Sequence, residues 1–386
     1  MKTRLGLGGM ALGTGLAGLT SVAGCSGDAE TATSGSTTTE SAGGGGATAT
    51  SVSTSSDGAG GSETGGGGAA GATTSSSSSS WTISVGPDAE LTLLGEIPSP
   101  FDLQLTSTGL FARTSELAGK GIARVDLESG DVTTVVAPGM EINAYSVSGE
   151  TVLYGQIAGS CPACSPGSGG VFAAPEAGGA AALLAELPDW APQRMVVGEQ
   201  GLYVADFTGA LFRLPVTGGT PEIVVAAGVG SEIAADATGV YFVGSADGAI
   251  HLLDETSLQV TDLPPFDDMV LRLRAEGGFA YGLSSYPTKL SRVKVGGPVE
   301  ALLSIEDPAS QMAVNGAHAF VMGFAAPGDV DYPFGALYTA APGSGQTGIL
   351  AGDLYQPGDV VANDTHVYFV TYDTAGPSAI WRVNAP

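Results

Sequence analysis

The chain has 386 residues, of which 39 are acidic and only 13 basic, for a formal net charge of −26. A nucleic-acid partner needs a basic footprint, and the Lys and Arg residues are few and scattered along the sequence without a cluster, so that class is set aside. The acidic excess reads as a device for solubility.

The first residues, Met1-Lys2-Thr3-Arg4, carry both charges of a basic n-region, and residues 5 to 24 then contain no charge at all. That is the pattern of an export signal. Glycines and threonines dilute the stretch too far for a helix that must stay in a bilayer. It ends in Val22-Ala23-Gly24-Cys25, which resembles the lipobox of bacterial lipoproteins. The resemblance implies that Cys25 is acylated and becomes the first residue of the mature protein. Several acyl chains, each CH₂ contributing about 0.8 kcal/mol, hold a soluble domain at a membrane. Ser26 follows the cysteine, and in enteric-type Gram-negative bacteria the resemblance then implies sorting to the outer membrane. The expected address is the cell envelope. Residues 1–24 are read as the signal, and the alternative is an ordinary secretory signal with a chance cysteine.

Residues 25–80 follow as a tether. Beyond Cys25 they are almost entirely Ser, Thr, Gly and Ala, with Asp28, Glu30, Glu40, Asp57 and Glu63 as the only charges. Such a segment cannot bury enough apolar surface to offset the entropy of ordering. A flexible Gly/Ser chain of this length spans about 40 Å.

From residue 81 to 386 one unit recurs: a Gly-led strand with an aromatic, a loop, a second strand, a turn, and a third strand rich in Val and Leu. Gly201-Leu202-Tyr203-Val204, then Gly209-Ala210-Leu211-Phe212-Arg213-Leu214, then Pro221-Glu222-Ile223-Val224-Val225 is one copy. Gly239-Val240-Tyr241-Phe242-Val243 opens the next. Others begin at Gly109, Val152, Phe279, Ala319 and His366. Seven copies at a spacing of about 43 residues match the length of a four-stranded blade. A short preceding strand of small residues, such as Arg194-Met195-Val196-Val197 or Gln311-Met312-Ala313-Val314, suits the crowded inner position.

The last copy stops after Ile380-Trp381-Arg382-Val383, one strand short. Glu90-Leu91-Thr92-Leu93-Leu94 precedes the first copy and is expected to supply the missing outer strand, closing the ring and removing an exposed edge. The predicted fold is therefore all-β, a β-propeller of seven four-stranded blades and a monomeric domain. Six or eight blades, or an unclosed array, are the alternatives. The chain is similar to the broad class of propeller repeat proteins, without the Trp-Asp dipeptide of the WD40 family.

Candidate chemistry is sparse. His251 falls in a strand, and His318 and His366 fall at the starts of equivalent strands, so they read as repeat positions rather than a converging site. No zinc spacing, phosphate loop or nucleophile elbow occurs. Asp267-Asp268, Glu306-Asp307 and Asp329-Val330-Asp331 lack the spacing of a calcium loop. No catalytic residue, metal or cofactor is assigned. Cys161-Pro162-Ala163-Cys164 has the spacing of thioredoxin-like oxidoreductases, but no helix is expected there to lower a thiol pKa. With Cys25 acylated, a local disulfide between Cys161 and Cys164 is expected, with a redox or metal role as the alternative.

In a propeller the inter-blade links and the loops between second and third strands share one face. The links are expected to carry Phe101, Trp190, Phe266 and Tyr355, and insertions at residues 155–169, 283–288 and 323–334 belong to the other loop class. These four aromatics are candidate ligand contacts, or caps on the blade seams. Two functions follow. One is a non-enzymatic binding or assembly module recognising protein or glycan through that face, similar to envelope lipoproteins of outer-membrane assembly. The other is an enzyme of lactonase-like or carbohydrate-active type, which would gather acids and a metal at the channel mouth.

Overall fold

The computed structural model describes residues 73–75, 82–86, 89–116, 119–157, 168–188, 191–284, 287–324, 334–372 and 377–386. Their regular structure is entirely β, in seven antiparallel sheets. The seven blades span residues 100–140, 142–188, 192–225, 229–262, 272–305, 309–355 and 357–384. Within each, strands follow one another outward from the axis.

Burial falls from the middle of a blade to its edge. The second strand Leu202–Asp206 is buried at every position, as is Gly239–Gly244 of the next blade. The outer strand Val260–Asp262 is exposed at every position. A middle strand is covered on both faces by its neighbouring blades, so its sequence is a continuous apolar run rather than an alternation. The repeat aromatic lies there: Phe111, Tyr154, Tyr203, Tyr241, Tyr281, Phe320 and Tyr368 are all buried. The leading glycine has its own reason. Gly201 has φ +149°, and a Cβ there would lie 2.7 Å from the Leu214 carbonyl oxygen; the turn into the second strand needs the missing side chain.

Closure is visible in the packing. The described residues form seven apolar clusters, one at each seam between adjacent blades. One joins Tyr368, Val370 and Ile380 of the last blade to Leu103, Leu110 and Ala112 of the first. The N-terminal segment fastens this seam. Its strands are β1 (Thr73–Ser75), β2 (Thr82–Val85) and β3 (Leu91–Ile97). β3 pairs with Ser378–Asn384, Leu91 opposite Val383 and Leu93 opposite Trp381, as the outer strand of the seventh blade. The strand expected at Glu90 to Leu94 thus extends to Ile97. Leu94 and Ile97 are buried, whereas Leu93 is 40% exposed.

β2 does something the repeat does not announce. It pairs with the outer edge of the sixth blade, Ser84 opposite Gly352 and Val85 opposite Ala351, and β1 pairs with β2. That sheet therefore has six strands. β1 falls within the segment read as tether; the remaining residues of that segment, like Cys25, Cys161, Cys164 and Trp190, lie outside the described residues.

Candidate functional site

The inner strands begin Pro100–Leu105, Ile142–Ser148, Pro192–Val197, Val229–Asp236, Arg272–Glu276, Ala309–Val314 and Pro357–Ala362. In six of them the register breaks within the first few residues, between Phe101 and Gln104, for example, or between Pro192 and Arg194. A bulge leaves residues unpaired and re-aims their side chains. The residues set here are polar in every blade: Asp102, Asn143, Arg194, Glu232, Arg272, Gln311 and Asp359. Asp102 adopts φ +57°, a left-handed conformation that costs a non-glycine residue about 1–2 kcal/mol and turns its carboxylate onto two arginines.

Five of these side chains, Asp102, Arg194, Glu232, Arg272 and Gln311, make with Arg113 one continuous polar chain along the mouth of the channel. Arg113 Nε lies 3.1 Å from Asp102 Oδ2, and its ring-facing side stacks on Phe101 with Cζ 4.5 Å from the centroid. Arg194 Nη1 donates to Asp102 Oδ1 at 2.9 Å, and Nη2 to Glu232 Oε1 at 3.2 Å. Arg272 Nη1 reaches the same Glu232 oxygen at 3.3 Å, while its Nε reaches Gln311 Oε1 at 3.3 Å. Glu232 Oε2 also accepts from the Leu273 N–H at 3.3 Å. Burial pulls the Arg113 pKa down despite Asp102. Burial also opposes the charge of Arg194, but Asp102 and Glu232 together outweigh it and its pKa rises.

Asp359 sits apart from this chain of ion pairs. Its carboxylate accepts the Leu103 N–H at 2.6 Å and the Val360 N–H at 2.9 Å. It is 3% exposed, and burial raises its pKa although Arg274 draws it down. The channel below has a volume of about 360 Å³ and touches all seven inner strands. Small side chains such as Ala144, Ala234, Ala313 and Ala362 line its length. Its far end is acidic: burial, Asp236 and Asp364 raise the pKa of Glu276.

Topology puts the arginine mouth on the loop-bearing face. Inner strands start where the preceding outer strand ends, which is also where second strands hand over to third strands. The loops between Thr151–Gln156 and Ser168–Pro175, between Phe279–Ser284 and Thr288–Val293, and between Ala319–Phe324 and Phe334–Ala341 are the three expected insertions. Phe207 and Met269, 63% and 68% exposed, stand on this face as well.

The candidate aromatics divide differently. Phe101 lies within the inner strand of the first blade rather than in a link, half-buried under Arg113. Phe266 is in the link before the fifth blade, packed over Gly282, between clefts of about 650 and 770 Å³. Tyr355 ends the outer strand of the sixth blade and meets Phe334 edge-on at 5.8 Å. Phe101 and Tyr355 thus meet partners across the strands of their own blades, and Phe266 packs at the seam between the fourth and fifth blades. Of the loop carboxylates, Asp268 pairs with Lys289 at 2.6 Å and Asp307 accepts from the Tyr338 hydroxyl at 2.6 Å, and Asp329 and Asp331 lie outside the described residues. His251 lies between Asp262 and Asp247, at 2.9 and 3.6 Å. Among the described residues no three His, Cys, Asp or Glu side chains gather as a metal-holding group.

One expectation is corrected. The basic residues do cluster: Arg113, Arg194, Arg272 and Arg274 meet at one mouth. They are far apart in sequence because they come from three different blades, Arg113 from the first, Arg194 from the third, and Arg272 and Arg274 from the fifth. Aligning the blades on the residue that opens each inner strand would have shown the ring.

No family model matches this sequence, and no curated protein does. Solved structures do match. A puromycin-hydrolysing peptidase of Mycobacterium tuberculosis aligns with a TM-score of 0.56 at 11% identity, over 76% of this chain and 51% of that one. The GH74 xyloglucanase of Xanthomonas campestris gives 0.52 at 16%, over 75% and 44%. YCF48, solved bound to a D1 peptide, gives 0.52 at 8%, over 77% and 96%. This chain thus spans about half or less of either enzyme and nearly all of YCF48. At such identities the likeness is one of fold, and the fold it shows is the β-propeller.

Proposed function

We propose that this protein is a non-enzymatic binding or assembly module, held at the cell envelope by acylated Cys25, that recognises a protein or glycan through the arginine-bearing face of its propeller. The observation that supports this is the ring itself. Asp102 and Glu232 are each engaged by two arginines, so they are poorly placed to act as free acid or base, whereas the surrounding face offers exposed Phe207 and Met269 beside long loops. Exposed apolar side chains around a charged centre are the composition of a docking surface. A propeller of the same fold, YCF48, has been solved with a peptide bound, which accords with this class of function.

Two experiments test it. A photo-crosslinking residue at Phe207 or Met269, introduced in intact cells, should give a discrete adduct, and the same residue at Ser344 on the opposite face should not. Equal labelling from both faces would overturn the choice of surface. Changing Cys25 to Ser should abolish fatty-acid labelling and release the protein from the membrane fraction; label retained on the variant would remove the anchor from the proposal.

A further inference from the structure

We infer that the groove along the seam between the fourth and fifth blades receives an extended, lysine- or arginine-bearing segment of a partner protein, a reading that rests on the docking role proposed above and names the chemistry of its partner. The groove exists because the two blades differ in size. The fourth ends in a three-residue outer strand, Val260–Asp262, whereas the fifth ends in six residues, Glu300–Ile305. The outer part of the fifth blade's facing surface is therefore left uncovered. Two clefts of about 650 and 770 Å³ open there and meet at Phe266, Asp267 and Asp268. One is floored by Gly282, Ser291, Val299 and Ala301, and the other runs beside the loop at residues 244–249 toward Arg272 and the arginine mouth. Small side chains on the floor leave room for an extended backbone. Met269 at the lip, 68% exposed, offers an apolar contact.

The molecule itself shows what fills such a seam. β2 lies outside the outer strand of the sixth blade and buries Ile83 and Val85 in the cluster that joins Leu350 and Leu354 of that blade to Trp381 and Val383 of the seventh. An extended segment with alternate aliphatic side chains is thus the form of occupant that a seam of this fold accepts. Charge decides which kind of segment. Asp247, Asp267 and Asp268 line the groove, and Asp262 stands beside it, sharing His251 with Asp247. The cations are Lys289, paired with Asp268 at 2.6 Å, and Arg272, already engaged by Glu232 and Gln311. Asp267 has no cation within ion-pair distance among the described residues. Even with Arg272 counted wholly to the groove and His251 protonated, the carboxylates outnumber the cations. Asp247 stays ionised, because the Ala249 N–H draws its pKa below the usual carboxylate value. The same charge excludes nearer occupants: residues 26–72 of this chain contain acids and no base, and a second copy carries the same net charge of −26. A basic partner supplies what both lack, and complementary charge steers and registers it in the groove.

The test uses the full chain with Cys25→Ser, which needs no detergent. Three probes are titrated calorimetrically: a short peptide alternating lysine and valine, its counterpart with glutamate in place of lysine, and calcium chloride. The lysine peptide should bind saturably and the glutamate peptide should not. Asp247→Asn with Asp267→Asn should weaken the lysine peptide by about tenfold or more, the size expected for close charge pairs at an interface. Glu150→Gln with Glu199→Gln removes equal charge from exposed turns on the opposite face and should change binding little. A benzophenone on one valine of the peptide, photolysed with the chain that keeps all four acids, should attach within residues 244–304, a readout that does not depend on a variant folding. Equal weakening by the two pairs of substitutions, or attachment elsewhere, means that the acidic surface as a whole holds the peptide and overturns the inference. Calcium binding without peptide binding overturns it as well. The docking role is judged separately by the cross-links from Phe207 and Met269, which report on the face whatever the partner's charge; a discrete adduct there with an acidic protein keeps that role and removes the basic partner.

Discussion

Arg194 of the third blade and Asp102 of the first stand 92 residues apart in sequence and meet at 2.9 Å, Nη1 to Oδ1. With its other nitrogen Arg194 holds Glu232 of the fourth blade at 3.2 Å. Three inner strands that share no sheet are thereby tied around the axis. Inner strands have free edges toward the channel, and such cross-links give those edges partners. Gln104 does the same between the first two blades, donating to the Tyr145 carbonyl at 2.7 Å and accepting from the Val147 N–H at 3.2 Å.

Removing Arg194 therefore acts on two carboxylates at once. Asp102 keeps Arg113 and Glu232 keeps Arg272, so Arg194→Ala should cost about 2–3 kcal/mol, less than the 3–5 kcal/mol of leaving a buried charge wholly unpaired. Urea denaturation at unchanged m-value measures it. A loss below about 0.5 kcal/mol, the size of an ordinary surface substitution, would mean that the ring does not hold the inner strands.

The buried carboxyl of Asp359 gives stability a pH dependence. Burial raises its folded pKa above the unfolded value, so protonation favours the fold. Its contribution is fully present below the unfolded value, about 4, and is lost as pH rises through the folded one. Asp359→Asn keeps an acceptor for the Leu103 N–H without the charge. It should gain on the parent protein as pH is raised from 4 to 7. Urea midpoints of both proteins at the two pH values decide this, and a gap that stays constant or moves the other way contradicts the assignment.

Phe266 and Gly282 form a lock at the seam before the fifth blade. A Cβ on Gly282 would overlap the Phe266 ring and stand 3.1 Å from Val270 Cγ2. Gly282→Ala should cost about 1–3 kcal/mol by overpacking. In a Phe266→Ala background the same change should cost much less, because the space is then empty. A double-mutant cycle measures the coupling, and additive effects would show that Phe266 is not the obstacle.

The closing blade predicts a contrast between two truncations. Deleting residues 26–80 removes β1, which pairs only with β2, and should shift the melting temperature little. Deleting residues 26–96 also removes buried Ile83, Val85 and Leu94, each contributing roughly 1.5–3 kcal/mol, and bares the edge of Ser378–Asn384. That protein should melt far lower and aggregate on size-exclusion chromatography. Equal melting temperatures and monomer fractions would contradict closure by β3.

What the sequence determined by itself is the repeat and its consequences. Tyr203, Tyr241 and Tyr368 recur at one strand position because that strand is covered on both faces, and the constraint is local enough to mark every copy. Leu91 and Leu94 could be assigned to the last blade because a missing strand and a spare one left one consistent pairing. The site obeyed no such local rule. Arg113, Arg194, Arg272 and Arg274 look scattered because a ring is assembled by rotation about an axis, which turns blade-length separations in sequence into contacts of about 3 Å. Phe101 and Tyr355 looked like link residues because strand ends and links share the same composition. β2 on the sixth blade was hidden for a related reason: an outer edge accepts any extended chain through its backbone, and only the course of the chain after closure brings Thr82–Val85 there.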